Sequence, residues 1–177
     1  FGDVELSSVS LSAQGDAKQQ SVSLVSAGDV DGELLLNGSR KEQLWHGVLE
    51  PTRLQTGVGL WQLSEPVLLE WSNVTEQLAL DAHCWRNQYA NLCSDKWLLG
   101  TRGRGRVEMS GDIVLLAGAL PPGLDIQGAM ELELEASWSQ GGDIVAAGQT
   151  QVRDVTVIRE IDKEQSARMA WDAGDAS

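Results

Sequence analysis

Positive charge, cysteine, histidine and proline are all scarce in this sequence, and each scarcity removes a class of function. Thirteen Lys and Arg stand against 26 Asp and Glu, a formal net charge of -13. That balance argues against nucleic acid, whose phosphates would be repelled, and against docking on anionic headgroups. The only two histidines, His46 and His83, both lie in strand-like sequence, where a side chain on a strand face is the ordinary reading. No Gly-x-Ser-x-Gly elbow surrounds any serine. No run approaches the roughly 20 apolar residues of a membrane span, and there is no signal-peptide core. The chain starts at Phe1 directly in strand-like sequence and reads as a mature product or a piece of something longer. The expectation is a protein without catalytic residues, metal or cofactor.

Tyr and Phe occur once each, whereas Trp occurs seven times. Trp presents a large apolar ring and a single N–H, which suits a surface that is partly greasy and partly wet. At 177 residues the chain can hold one domain with a real core. No linker-like tract divides it, so residues 1–177 are read as a single β domain.

The stretch from Leu124 to Trp138 sets the fold class. Ile126, Gly128, Met130, Leu132, Leu134, Ala136 and Trp138 alternate with Gln127, Ala129, Glu131, Glu133, Glu135 and Ser137. A period of two held this long is a β-strand with one greasy and one acidic face; a helix would spread the glutamates around its circumference. Similar strand-like segments, punctuated by Gly, Asn, Asp and Pro, run over 4–11, 21–26, 32–36, 43–49, 57–63, 67–71, 78–85, 92–98, 107–109, 144–150 and 151–158. Residues 111–120 are too short and too apolar for an independent helix and read as a buried turn or two. Residues 162–173 could form a helix or fray. About a dozen strands at 4.8 Å spacing would extend roughly 55 Å, so the sheet must curl, fold over or split.

Cys84 and Cys93 are the only cysteines. A turn near Gln88 and Tyr89 would set them opposite each other on adjacent antiparallel strands, where a disulfide worth roughly 2 to 3 kcal/mol is possible and implies an oxidising compartment. Two free thiols are the alternative; a zinc site would need both histidines as well. Gly57-Val-Gly-Leu-Trp-Gln lacks the third glycine of a dinucleotide fingerprint, and Asp29-Val-Asp-Gly-Glu lacks the ligands of a calcium loop. Asn37-Gly-Ser and Asn73-Val-Thr match the glycosylation sequon, a pattern common by chance. The basic cluster Thr101-Arg-Gly-Arg-Gly-Arg is expected to pair internally or cover an edge, a local anionic contact being the other option.

Collected by parity, Leu34, Leu36, Val58, Leu60, Val67, Leu69, Trp71, Leu78, Leu80, Ile126, Met130, Leu132, Leu134 and Trp138 form an apolar set. Two sheets of a closed sandwich could bury them against each other, or they could line a surface that receives something else.

Residues 111–142, with an apolar turn, Leu120-Pro-Pro-Gly, the alternating strand containing Gly128 and then Gly141-Gly142, resemble the C-terminal DUF490 region of TamB proteins. Ala82-His-Cys-Trp and Leu92-Cys93 resemble it too; the likeness covers residues 81–142, and the first 80 agree only in style. The resemblance implies an all-β, elongated, mostly antiparallel sheet curled into an open taco-like trough with an apolar lining and very little helix. It also implies a chain that crosses the periplasm of a Gram-negative bacterium, anchored in the inner membrane by an N-terminal helix outside this sequence. The outer-membrane barrel TamA is the expected partner, phospholipid the expected cargo of an AsmA-like bridge. Insertion of autotransporters and other barrel proteins is the alternative role, and adhesion by a closed sandwich a second one. The family brings no catalytic residues.

Overall fold

The computed structural model describes residues 4–119, 121, 123–142, 144–162, 165–171 and 174–176. Its sixteen strands all belong to one sheet, every pairing is antiparallel, and no α-helix occurs among the described residues. A sandwich of two separate sheets is therefore not the architecture.

The meander begins with β1 (Leu6–Gly15), β2 (Gln19–Gly28) and β3 (Val30–Lys41). Between β1 and β2 the Asp16 carboxylate accepts the backbone N–H groups of Lys18 and Gln19 at 2.7 and 2.9 Å. The Gln19 bond first, then that of Lys18, lowers the Asp16 pKa.

Beyond β3 the strands come in halves. β4 (Leu44–Leu49) and β5 (Thr52–Thr56) both pair with β3, through Leu36↔Leu49 and Gly32↔Leu54, so they are one strand broken at Glu50 and Pro51. The same holds for β6 (Gly59–Leu63) and β7 (Val67–Ser72), broken at residues 64–66. β8 (Gln77–Leu80) and β9 (His83–Arg86) part at Asp81 and Ala82, and β10 (Ala90–Ser94) and β11 (Trp97–Gly100) at Asp95 and Lys96. β12 (Gly103–Asp112) is continuous again and pairs with both β10 and β11. The segments 78–85 and 92–98, expected as single strands, are thus single strands interrupted in the middle.

These four breaks lie side by side and form a line across the sheet. Proline cannot donate to a ladder, and Pro51 and Pro66 sit on the line. Extra residues between two paired halves bend a strand locally. Leu63 and Val67, on either side of the break at 64–66, are the two most buried large side chains, 1% and 2% exposed.

β13 (Leu124–Trp138) has the bounds read from its alternation. It pairs with β12 and with β14 (Val145–Asp162), a single strand where two were expected. The ladder shifts register at Gly128, whose φ of 142° suits glycine. β15 (Gln165–Trp171) and β16 (Gly174–Ala176) pair with β14. Residues 165–171 are therefore strand and not the helix that 162–173 could have formed; residues 163, 164, 172 and 173 lie outside the described ones. The long edge of β14 pairs the inward-facing backbone groups of an added strand, which outweighs a weak local helix propensity. Between β12 and β13, Ile113–Ala119 is a 3-10 segment with Ile113 buried, as expected of 111–120, although Leu120 lies outside the described residues. The Asp112 carboxylate caps it by accepting the Val114 N–H at 2.9 Å.

Candidate functional site

Directly opposed residues of antiparallel strands put their side chains on the same face, so the register assigns every residue to a side. One row runs Gly47↔Leu69, Leu69↔Leu80 and Leu80↔Trp97. Two residues nearer the rim the next runs Trp45↔Trp71, Trp71↔Leu78 and Leu78↔Leu99. Across the line of breaks a third runs Leu63↔Trp85, Trp85↔Leu92, Leu92↔Met109 and Met109↔Leu132. The first strands continue it through Leu24↔Leu34 and Val22↔Leu36. The result is one apolar face carried across the whole meander, and most of it is only half-buried.

Leu34, Leu36, Val67, Leu69, Trp71, Leu78, Leu80, Met130, Leu132, Leu134 and Trp138 all fall on this side. Ile126 keeps the alternation of β13 beyond Gly128 and is half-buried. Two others need correcting. Leu60 faces Gln55 on the opposite side and is 46% exposed, because it is Trp61, paired with Leu54, that has the inward parity. Val58 lies in the β5–β6 turn. Leu49, Leu63, Leu92, Leu99, Met109, Trp45, Trp61, Trp85 and Trp97 escaped the parity count; for Trp85, Leu92 and Trp97 the reason is that the breaks at 81–82 and 95–96 reset the parity within the segments 78–85 and 92–98, which look continuous in sequence. Trp45, Trp61, Trp85 and Trp97 are on the apolar side through the pairs above.

Several of these rings lie flat across glycines. A side chain on Gly38 or Gly47 would collide with the Trp45 ring, one on Gly105 with Trp97, and one on Gly103 with Trp138. Each ring spreads over backbone that carries no Cβ, as aromatic side chains do over strand glycines. Their N–H groups are satisfied at the margins: Trp45 donates to Gln20 Oε1 at 2.9 Å, Trp71 to Asn73 Oδ1 at 2.7 Å and Trp138 to the Gly100 carbonyl at 3.0 Å. The rings of Trp45, Trp71 and Trp138 therefore offer hydrocarbon surface with their N–H groups already satisfied. Gly105→Val should displace the Trp97 ring and destabilise by about 1 to 3 kcal/mol, read as a lower unfolding midpoint with red-shifted Trp fluorescence.

The other face is ionic. Arg106 lies 2.6 Å from Glu108, 3.1 Å from Glu133 and 3.8 Å from Glu135. Desolvation opposes its charge, but Glu133, Glu108, Glu135 and Asp95 together outweigh it and raise its pKa. Arg153 pairs with Glu131. The basic cluster thus pairs internally through Arg106, as expected, while Gly103 and Gly105 serve as floor for two tryptophans. His46 faces Glu70 at 3.4 Å on this outer side, and the His83 Nδ1 lies 3.0 Å from Ser94 Oγ. Cys84 and Cys93 are directly opposed on β9 and β10 and form a disulfide, on the Glu108 side of the sheet. Asn87 closes that hairpin, its side-chain oxygen accepting the Tyr89 and Ala90 N–H groups at 2.7 Å each. With Cys84 and Cys93 both changed to Ser, the urea midpoint should fall by the equivalent of roughly 2 to 3 kcal/mol with the fold retained.

Residues 1–176 match the family model described as TamB, N-terminal domain. The chain belongs to the TamB family. The match is to the N-terminal domain and not to the C-terminal DUF490 region to which residues 81–142 pointed; alternating strands closed by Gly and Asn identify a long meander but not a position along it. No solved structure matches the chain. Membership implies a TamB-type role in the translocation and assembly module, association with TamA, and a place in a periplasm-spanning envelope protein. Among the described residues no helix is long and apolar enough to cross a membrane.

Proposed function

We propose that the apolar face of this TamB segment is an open trough that carries phospholipid acyl chains between the membranes, without catalysis. The observation that supports this most directly is the continuity of the face: row after row of Leu, Val, Met and Trp at matched register, half-covered, with Leu63 and Val67 beside the line of breaks, Met130 and Ile113 the buried large apolar side chains among the described residues. Bending along that line turns the apolar rows toward each other. Each exposed CH₂ costs about 0.8 kcal/mol, so a chain of about 16 carbons in water would cost on the order of 12 kcal/mol. A carrier must cover that chain at every point, and near-equal affinity from row to row lets it slide. Mass spectrometry of an organic extract of the purified protein should find phospholipid at near-stoichiometric amounts; an extract free of lipid from protein never exposed to detergent would sink the reading.

A second reading rests on β1. All ten of its residues are exposed, and among the described residues it pairs only with β2, leaving a flat edge on which Val9, Leu11 and Ala13 alternate with Ser. Such an edge can accept a strand of a barrel precursor by β-augmentation. The Asp16 N–H donates to the Gln19 carbonyl, so by alternation Leu11, not Ser10, turns its N–H to the free edge, and Leu11→Pro should then abolish precursor crosslinks to β1 and leave lipid content unchanged.

A further inference from the structure

Charged side chains are absent from the apolar side of nearly every strand between β1 and β13, with one cation as the exception. Arg40, near the end of β3, is opposed to Trp45, which is in turn opposed to Trp71. It therefore stands in the outermost apolar row, where the face meets solvent, and it is exposed. A cleft of about 510 Å³ at this point is lined by Arg40, Trp45, Trp71, Val22, Gln20 and Asn73. The Trp45 and Trp71 N–H groups are occupied by Gln20 and Asn73. Arg40 Nε donates to the Glu42 carbonyl at 3.2 Å, and no carboxylate pairs with its guanidinium among the described residues.

We infer that Arg40 and the Trp45–Trp71 pair form a headgroup site for a glycerophospholipid, the phosphate on the guanidinium and the acyl chains running from the rim down the apolar rows. This rests on the conduit reading and names the chemistry at its margin. The guanidinium fork fits phosphate oxygens, and a Trp pair with satisfied N–H groups suits the boundary between water and hydrocarbon. From the Arg40 row to the row of Leu36, Leu49 and Val67 is four residues, roughly 13 Å of apolar wall at 3.3 Å per residue. In a protein of net charge -13 a phosphate has little reason to settle elsewhere.

The test compares phosphatidylglycerol with diacylglycerol of the same acyl chains, each presented in neutral detergent and scored by native mass spectrometry. The protein should take up the phospholipid about ten-fold better. Arg40→Gln should remove that preference without lowering diacylglycerol uptake, and Arg40→Lys should restore part of it. Inorganic phosphate at millimolar concentration should not compete. An Arg40→Gln protein that still prefers phosphatidylglycerol overturns the headgroup site and leaves the conduit standing, as does effective competition by free phosphate. Failure of either lipid to bind the unaltered protein overturns both.

Discussion

Leu134→Arg should reduce phospholipid crosslinking from a benzoylphenylalanine at Leu132 by at least ten-fold while moving the unfolding midpoint by no more than about 2 °C. Leu134 is 47% exposed on the apolar side, opposed to Val107 and Gly148. A half-exposed position tolerates a long cation, whose stem can lie along the sheet with its charge in water. A hydrocarbon passing that point would have to strip water from the guanidinium, at a cost of several kcal/mol with nothing to replace it. Gln149→Arg is the control. It lies across from Glu133 on the ionic face, where a guanidinium finds carboxylates, and it should leave crosslinking unchanged. Equal crosslinking in the two variants would mean that lipid does not travel on the side bearing Leu134.

The opposite pattern is expected at the line of breaks. Leu63→Ala should cost about 2 to 5 kcal/mol, a drop of roughly 5 to 15 °C in melting temperature for a chain of this length. Leu63 is 1% exposed and joins the halves of the sheet through Thr52 and Trp85. Only two register pairs hold β6 to β9, Gln62↔Arg86 and Leu63↔Trp85, so packing at Leu63 supplies much of what the ladder lacks there. Calorimetry of Leu63→Ala beside Leu134→Ala checks this: a comparable loss at both positions would show that the break line is no core. The pair of substitutions separates the residues packed at the line of breaks from those on the half-exposed apolar face.

Much of this was legible before any coordinates. The alternation from Leu124 to Trp138 gave a strand with the observed bounds, and the nine-residue spacing of Cys84 and Cys93 gave a directly opposed pair. The breaks also leave a trace in the sequence: Glu50-Pro51, Glu65-Pro66, Asp81 and Asp95 recur about every 15 residues, one acidic residue per strand at the same height. That recurrence is visible only once the register shows that the four positions are neighbours. Leu60 was misassigned for the same reason, since parity counted along the chain does not survive a turn whose length is unknown. Trp45 and Trp97 were missed because nothing local says that Gly38, Gly47 and Gly105 lie beneath them.

The sequence by itself determined the all-β class, the split of each strand into a greasy and an ionic side, and the absence of a long apolar span, because all three follow from period and composition within one segment. Tertiary structure alone decided which segments share a row, where the strands of the meander break, that Arg40 stands alone among tryptophans, and that one sheet forms instead of two. Those depend on pairing between residues distant in the chain, and pairing is fixed by the register of whole strands against each other, which a linear pattern of period two leaves undetermined.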